Sequence, residues 1–293
     1  MQFAPIVKWS GSKRSQAEAI ISRMPREIDT YYESFCGGCS VLYRLLQTPS
    51  VKAKRYVASD LNKDLIALWN EIKKNPQSLM QGYGCLWRMF NKFSGSPDST
   101  LFAERKEVFA AVRERYNAEH DPADFLFIMR TTTNGMPRYN DKGEFNNSCH
   151  FSRPGIHPAK LAEICYQWST ILKAKDVQFV ARSYDAISPD SKNDLVYLDP
   201  PYANTKGMYF GALNTDNLFG WLRNLNCKWM LSFDGRTNKE DLTYGVPKDL
   251  YVSHKYLNSG NSSFRRVIGK DRHANVEESL YCNFVPEKEG RLP

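Results

Sequence analysis

"YYESFCGGCSVLY", residues Tyr31–Tyr43, decides the fold. Thr30–Phe35 reads as a short buried strand, Gly37-Gly38 as a tight turn, and Ser40–Leu46 as the start of a helix. Glycines at such a turn let the backbone pass close to a ligand with no side chain in the way. At the carboxyl edge of a parallel sheet, that turn is where nucleotide-like cofactors sit.

The pattern repeats along the chain. "RYVAS" (Arg55–Ser59) is a second strand, followed by Leu61, Leu65, Leu68 and Ile72 at helical spacing up to Pro76. Val177–Ala181, Leu195–Leu198 and Lys228–Phe233 are further short apolar strands, and Ser279–Val285 reads as a closing strand beside a polar loop at 258–263. Such alternation predicts an α/β fold, with a mostly parallel sheet and helices on both faces. Between Pro76 and Pro158 the rhythm breaks. Helical stretches give way to "TTTNGMPRYNDKGEFNNSCHFSRPG", a polar segment rich in Gly, Asn and Pro. Loops this long inside a domain usually carry function. We therefore expect residues 76–158 to be an insertion, with 1–75 and 159–293 forming one discontinuous domain.

Composition narrows the class. The 293 residues are 42% apolar and 25% charged, as in ordinary globular proteins, and no apolar run reaches the roughly 20 residues of a membrane span. The N-terminus lacks a signal-peptide core, and seven scattered cysteines suit a reducing, cytoplasmic setting. The net charge of +8 suits a polyanionic partner without demanding one. Arg265, Arg266 and Lys270 lie in a basic stretch that is either phosphate-binding or simply solvated.

Two strand ends carry carboxylates. Asp60, in "VASDLN", stands 22 residues after Gly38, where it either accepts hydrogen bonds from a ribose or caps the following helix. Asp199 opens Asp199-Pro200-Pro201-Tyr202 after "LVYL". Two prolines end the strand, and proline fixes the aim of the Pro200 carbonyl. The Asp199 carboxylate and that carbonyl are two acceptors for the two hydrogens of an exocyclic amine, and Tyr202 offers a face on which its ring can stack. The 5 histidines show no ligand spacing, so no metal is expected. Cys36 and Cys39 form a C-x-x-C that is either a redox or zinc element or two small residues fitting a crowded turn.

Taken together the motifs resemble, in order and over nearly the whole length, the D12 class of DNA adenine-N6 methyltransferases, which includes the Dam enzymes. "KWSGSK" resembles the N-terminal methionine-binding motif, "YESFCGGCS" the glycine loop, and "ASDLN" the ribose-binding acid. "RSYDAI" resembles the adenosine-contacting strand, "NGMPRYNDKGEFN" the DNA-recognition hairpin, "LDPPY" the catalytic motif, and "NVEESLYCNF" the C-terminal strand. The resemblance implies a methyltransferase fold that binds S-adenosyl-L-methionine, with residues 76–158 as a mainly helical and hairpin target-recognition domain. It implies base flipping, with Asp199, Pro200 and Tyr202 catalytic. Phe35, Gly37, Gly38 and Asp60 would hold the cofactor, with Trp9 and Lys13 at its methionine end, Ser183 and Tyr184 at its adenine, and Asp199 bordering it. Asn134, Met136 and Arg138 would read double-stranded DNA, with GATC as the first target to test, and Arg265, Arg266 and Lys270 would contact phosphates. A cognate restriction endonuclease and a monomeric state are further expectations. Cytosine N4, an RNA adenine, or a silent DNA-binding scaffold are the alternatives.

The chain departs from the family pattern at Ser12, Ser34 and Cys39, and Thr133 stands where an aromatic wedge is common. A Cβ at position 39 is expected to cost on the order of 1 kcal/mol if its φ must be positive.

Overall fold

The computed structural model describes residues 4–201, 213–237, 241–261 and 275–286. The chain divides into two compact units: residues 13–61 with 176–293, and residues 1–12 with 62–175.

The first unit holds a seven-stranded sheet. Its strands are β1 (Glu27–Ser34), β2 (Lys52–Asp60), β3 (Gln178–Ala181), β4 (Leu195–Leu198), β5 (Lys228–Thr237), β6 (Ser253–Asn261) and β7 (Asn275–Cys282). They run in the order β3-β2-β1-β4-β5-β7-β6. The first five are parallel, and β7 lies antiparallel between β5 and β6. All four residues of β4 are buried, as a strand covered on both faces requires. The core includes Val196, Leu198, Trp229, Leu231 and Phe233 from the central strands and Leu218, Phe219 and Leu222 from the helix Thr215–Arg223. Buried Asp194 fixes the approach to β4 by accepting from the Thr30 N–H at 2.8 Å and the Asp190 N–H at 3.0 Å. The polar loop expected at 258–263 is instead, through Asn261, the end of edge strand β6.

The second unit is helical, with α3 (Lys63–Lys74), α4 (Pro76–Phe90), α5 (Asp98–Glu119), α6 (Pro122–Thr131) and α7 (Pro158–Ala174), numbered after α1 (Ala17–Ile21) and α2 (Ser40–Leu46) of the sheet unit. Asp121 caps α6 by accepting from the Ala123 and Asp124 N–H groups. Phe125 through Met129 are all fully buried, so α6 is hydrophobic all round and forms the centre of the unit. The helical unit is larger than the expected 76–158. Trp69 of α3 packs on Trp168 of α7 with ring centroids 4.7 Å apart. The Trp168 indole donates to the Ala4 carbonyl at 3.1 Å, which ties the N-terminal segment to the same body. The long polar segment carries more core than its composition suggests: Pro137, Phe145 and Cys149 are buried.

Candidate active site

The glycine turn leaves the carboxyl end of β1, leads into α2 and lies against the carboxyl end of β2. Phe35, Gly37 and Cys39 take φ of +61°, +46° and +52°. The turn is pinned to β2 by the Cys36 N–H donating to Ser59 O at 2.9 Å and the Gly37 N–H donating to Asp60 Oδ2 at 3.1 Å. Asp60 does not cap α3: that cap is Asn62, which accepts from the Leu65 N–H at 2.9 Å. The carboxylate therefore faces the glycine turn. Cys36 and Cys39 are free, buried thiols whose pKa values burial raises above the ordinary range. Neither is the exposed, low-pKa thiol of a redox centre, and the small-residue reading of C-x-x-C holds. No group of metal-ligating residues exists among the described residues.

Beside this turn, Ser183 precedes a single 3-10 turn, Tyr184–Ala186, at the end of β3, and the Arg182 N–H donates to Asp60 O at 3.1 Å. The rings of Phe35 and Tyr184 stack at 5.4 Å. A turn without a Cβ at Gly37, a carboxylate at the end of β2 and a half-buried aromatic pair suit a nucleoside: backbone close approach, ribose hydroxyls and a base, in that order. These residues fit S-adenosylmethionine. Trp9 belongs to the helical unit.

Asp199 follows the last residue of β4. Its carboxylate Oδ1 lies 2.7 Å from Lys13 Nζ, and the same ammonium lies 3.3 Å from Glu278 Oε2 on β7. The Lys13 side chain is 4% exposed, and both carboxylates are 18% exposed. Burial opposes the Lys13 charge, yet the two carboxylates overcome it, so its pKa is raised. For Asp199 burial pushes the carboxyl up, Lys13 pulls it back and Glu278 adds to the rise, leaving about 6. Asp199 is thus ionised at neutral pH. The lysine that the resemblance assigns to a methionine end is, among the described contacts, the partner of the Asp199 carboxylate.

Two acids escaped the motif reading. Glu33 on β1 is buried, accepts from the Tyr31 hydroxyl at 2.7 Å, and is raised by burial to about 8. Its signal was an acid at the penultimate position of a strand whose last five residues are all buried. Glu278 sits in a run of two glutamates, and only the alternation of β7 shows that it points inward while Glu277 pairs with Arg236 at the surface.

In the helical unit, residues 132–149 form a hairpin joined by bridges Thr132–Cys149 and Tyr139–Phe145. Asn147 donates to the carbonyls of Thr133 and Met136, and Asn140 accepts from the N–H groups of Lys142 and Glu144. Arg138 is exposed, with Nε donating to Asn146 Oδ1 at 2.9 Å. Gly135, at φ +61°, sits where a Cβ would come within 2.6 Å of the Lys8 side chain. Asn134 lies in this turn. Tyr202, Arg265, Arg266 and Lys270 fall outside the described residues.

Comparison with known proteins adds a family match. A family model described as D12 class N6 adenine-specific DNA methyltransferase matches residues 9–220. The chain is 27% identical to the type II methyltransferase M.FokI of Planomicrobium okeanokoites, over 88% of this chain and 41% of that protein. It is 29% identical to M.MjaIII of Methanocaldococcus jannaschii, over 69% of this chain and 70% of that one. A DNA adenine methylase of Salmonella typhi matches at 30% identity over 67% of this chain and 64% of its own length. The chain thus spans less than half of the first of these relatives. An rRNA methyltransferase of Streptomyces viridochromogenes aligns over 92% of this chain and 82% of its own, at TM-score 0.38 and 12% identity, too remote to add to the family match.

Proposed function

The chain belongs to the D12 class of N6 adenine-specific DNA methyltransferases, and from that membership we propose that it methylates N6 of an adenine flipped out of double-stranded DNA. The observation that carries this is the largely buried Asp199 carboxylate, held at 2.7 Å by Lys13 at the end of β4, next to β1 and its glycine turn. An adenine amine is unreachable inside the duplex, so the base must leave the stack. Asp199 and the Pro200 carbonyl would then accept its two N–H bonds, with Tyr202 as the stacking face. Pulled by two acceptors, the nitrogen turns pyramidal and its lone pair becomes available.

Bound S-adenosylmethionine supplies a methyl already activated on a sulfonium, which leaves as a neutral thioether. The protein's share is placement and electrostatics. The Gly37-Gly38 turn would pass beneath the methionine portion with Phe35 flanking it, Asp60 would hold the ribose, and Ser183 and Tyr184 would lie near the adenine. Trp9 and Lys13 are assigned to the methionine end by family resemblance. The amine sheds one proton as it gains the methyl, and the Asp199 carboxylate would take it.

The helical unit would be the target-recognition body, with Asn134, Met136 and Arg138 on a hairpin stiffened by Asn147 and Asn140. Arg265, Arg266 and Lys270 would contact phosphates. GATC is the first target to test. Two of the relatives are named type II methyltransferases, which supports a cognate endonuclease as a functional partner. The enzyme would act as a monomer in the cytoplasm. No helix among the described residues is long and apolar enough to cross a membrane.

The test is incubation with tritiated S-adenosylmethionine and DNA of varied sequence, followed by nucleoside analysis. N6-methyladenine in duplex DNA supports the proposal. Label on cytosine, label only in RNA, or sequence-specific binding without label each refutes it.

A further inference from the structure

Lys13 and Glu278 come from opposite ends of the chain, and neither is accounted for by gripping an amine. We propose that Lys13, held in place by Glu278, is a positioning residue that orients the Asp199 carboxylate toward the incoming amine, a role that rests on the methyltransferase function above.

The geometry argues for it. The Lys13 stem is buried, so its ammonium has little freedom, and it lies 2.7 Å from one carboxylate oxygen, Oδ1. An ammonium fixed on Oδ1 stops the carboxylate from rotating and leaves Oδ2 as the acceptor for an N–H. A lysine serving only to neutralise Asp199 would need no second acid. Glu278 supplies one at 3.3 Å, from a strand two places away in the sheet. With two carboxylates on one ammonium, the pair Lys13–Glu278 is itself neutral. Asp199 then keeps its full acceptor charge for the substrate, while its position is still held.

Among the described residues, few other titratable groups face this cluster. Glu33 approaches from β1 with Tyr31 bonded to it, and Tyr197 of β4 shares a 2.8 Å hydrogen bond with Ser232 of β5. Burial holds Glu33 largely protonated at neutral pH, and keeps Tyr31 and Tyr197 protonated with pKa values well above the ordinary range. Burial raises the Asp199 carboxyl first, and among the described residues Lys13 and Glu278 are the charges that then lower and raise it.

The two neighbours act on Asp199 with opposite sign, and that makes a test a purely structural role does not pass. The measurement is the single-turnover methylation rate against pH for the parent, Lys13→Met, Lys13→Arg and Glu278→Gln. In the parent the rate falls tenfold per pH unit below the Asp199 pKa. Without the ammonium, Lys13→Met moves this acid limb upward by about 1–3 pH units. Lys13→Arg returns it toward the parent position. Removing the repelling charge in Glu278→Gln moves the limb downward, by about one pH unit. Glu278→Gln keeps shape and hydrogen bonding, so its shift stands even if Lys13→Met does not fold. Limbs that coincide with the parent's while DNA is still methylated overturn the positioning role alone. A folded parent that labels no DNA at any pH overturns the methyltransferase assignment and this role with it.

Discussion

Cys39 offers a measurement of backbone strain inside the glycine turn after β1. It stands at φ +52°, ψ +38°, in the left-handed region, immediately before α2. The conformation is imposed by its neighbours: the Cys39 N–H donates to Cys36 O at 2.7 Å, and Cys39 O accepts from the Tyr43 N–H at 3.0 Å. An L-residue held there costs about 1–2 kcal/mol, and glycine escapes that cost. The side chain is fully buried, so it also contributes packing. Cys39→Ala keeps the strain and deletes one buried sulfur, a loss of about 1 kcal/mol. Going from Ala to Gly then removes a buried methyl, about 0.8 kcal/mol, and adds about 0.5–1 kcal/mol of unfolded-chain entropy. Relief of strain, about 1–2 kcal/mol, offsets both. The Ala and Gly variants are therefore expected to lie within about 1 kcal/mol of each other. At a right-handed helical position the same comparison puts Gly lower by about 2 kcal/mol, because nothing offsets the lost burial and flexibility. Urea denaturation of the two variants, compared at equal slopes, reads the difference. A glycine variant 2 kcal/mol or more below the alanine one would show that Cys39 is unstrained, and would remove the physical reason for a glycine in this loop.

Asp199→Ala is expected to lower the single-turnover methylation rate by several orders of magnitude with cofactor affinity largely kept, and near-parent turnover would falsify the catalytic assignment. Asp60→Ala removes the acceptor of the Gly37 N–H along with the proposed ribose ligand. It is expected to weaken S-adenosylmethionine binding by about 1–3 kcal/mol in calorimetry; an unchanged affinity would limit Asp60 to holding the loop. Arg138→Ala is expected to relax specificity at one base position and cost about 1–3 kcal/mol on the cognate site, read from methylation patterns by single-molecule sequencing. Uniform weakening on all sequences, with a salt slope lower by about one, would make Arg138 a phosphate contact instead.

What the sequence disclosed followed from how strongly each segment is constrained. Strand β4 lies where the pattern put it because it is buried and apolar over its whole length, and α2 because every residue of it but Arg44 is buried. The helical repeat 61-65-68-72 found α3, although Leu61 is 52% exposed and lies before the Asn62 cap. Strand β6 was missed for a reason in its chemistry. It is an edge strand, "SHKYLNSGN", with a lysine and a register shift between Asn258 and Gly260. Edges blunted in this way read as loops. The compact helical unit extends past Pro76 and Pro158 because the sequence separates elements at prolines, whereas packing such as Trp69 on Trp168 ignores them. Glu278 was hidden because a one-residue change of register exchanges it with Glu277, and only the pairing of β7 settles which carboxylate faces Lys13.

The strand order explains why a glycine turn and an acid lie together although they are far apart in sequence. β1 has β2 on one side and β4 on the other, so the chain leaving β1 turns toward β2 while β4 enters from the opposite half. Loops departing to opposite sides leave a crevice at the carboxyl ends. Asp60 ends β2, the glycine turn ends β1, and Asp199 ends β4, so the three stand on consecutive strands. Adjacent strands are about 4.8 Å apart, which puts Asp60 and Asp199 about 10 Å from one another across the sheet. On the proposed function, the ribose lies at one end of that span and the amine at the other, with the sulfonium methyl between them. Methyl transfer needs its reacting atoms held about 3–3.5 Å apart. Three strand ends fixed by backbone hydrogen bonds can hold that distance without relying on a loop. Among the described residues, the Asp199 side chain at the end of β4 is itself held by Lys13, 2.7 Å from its Oδ1.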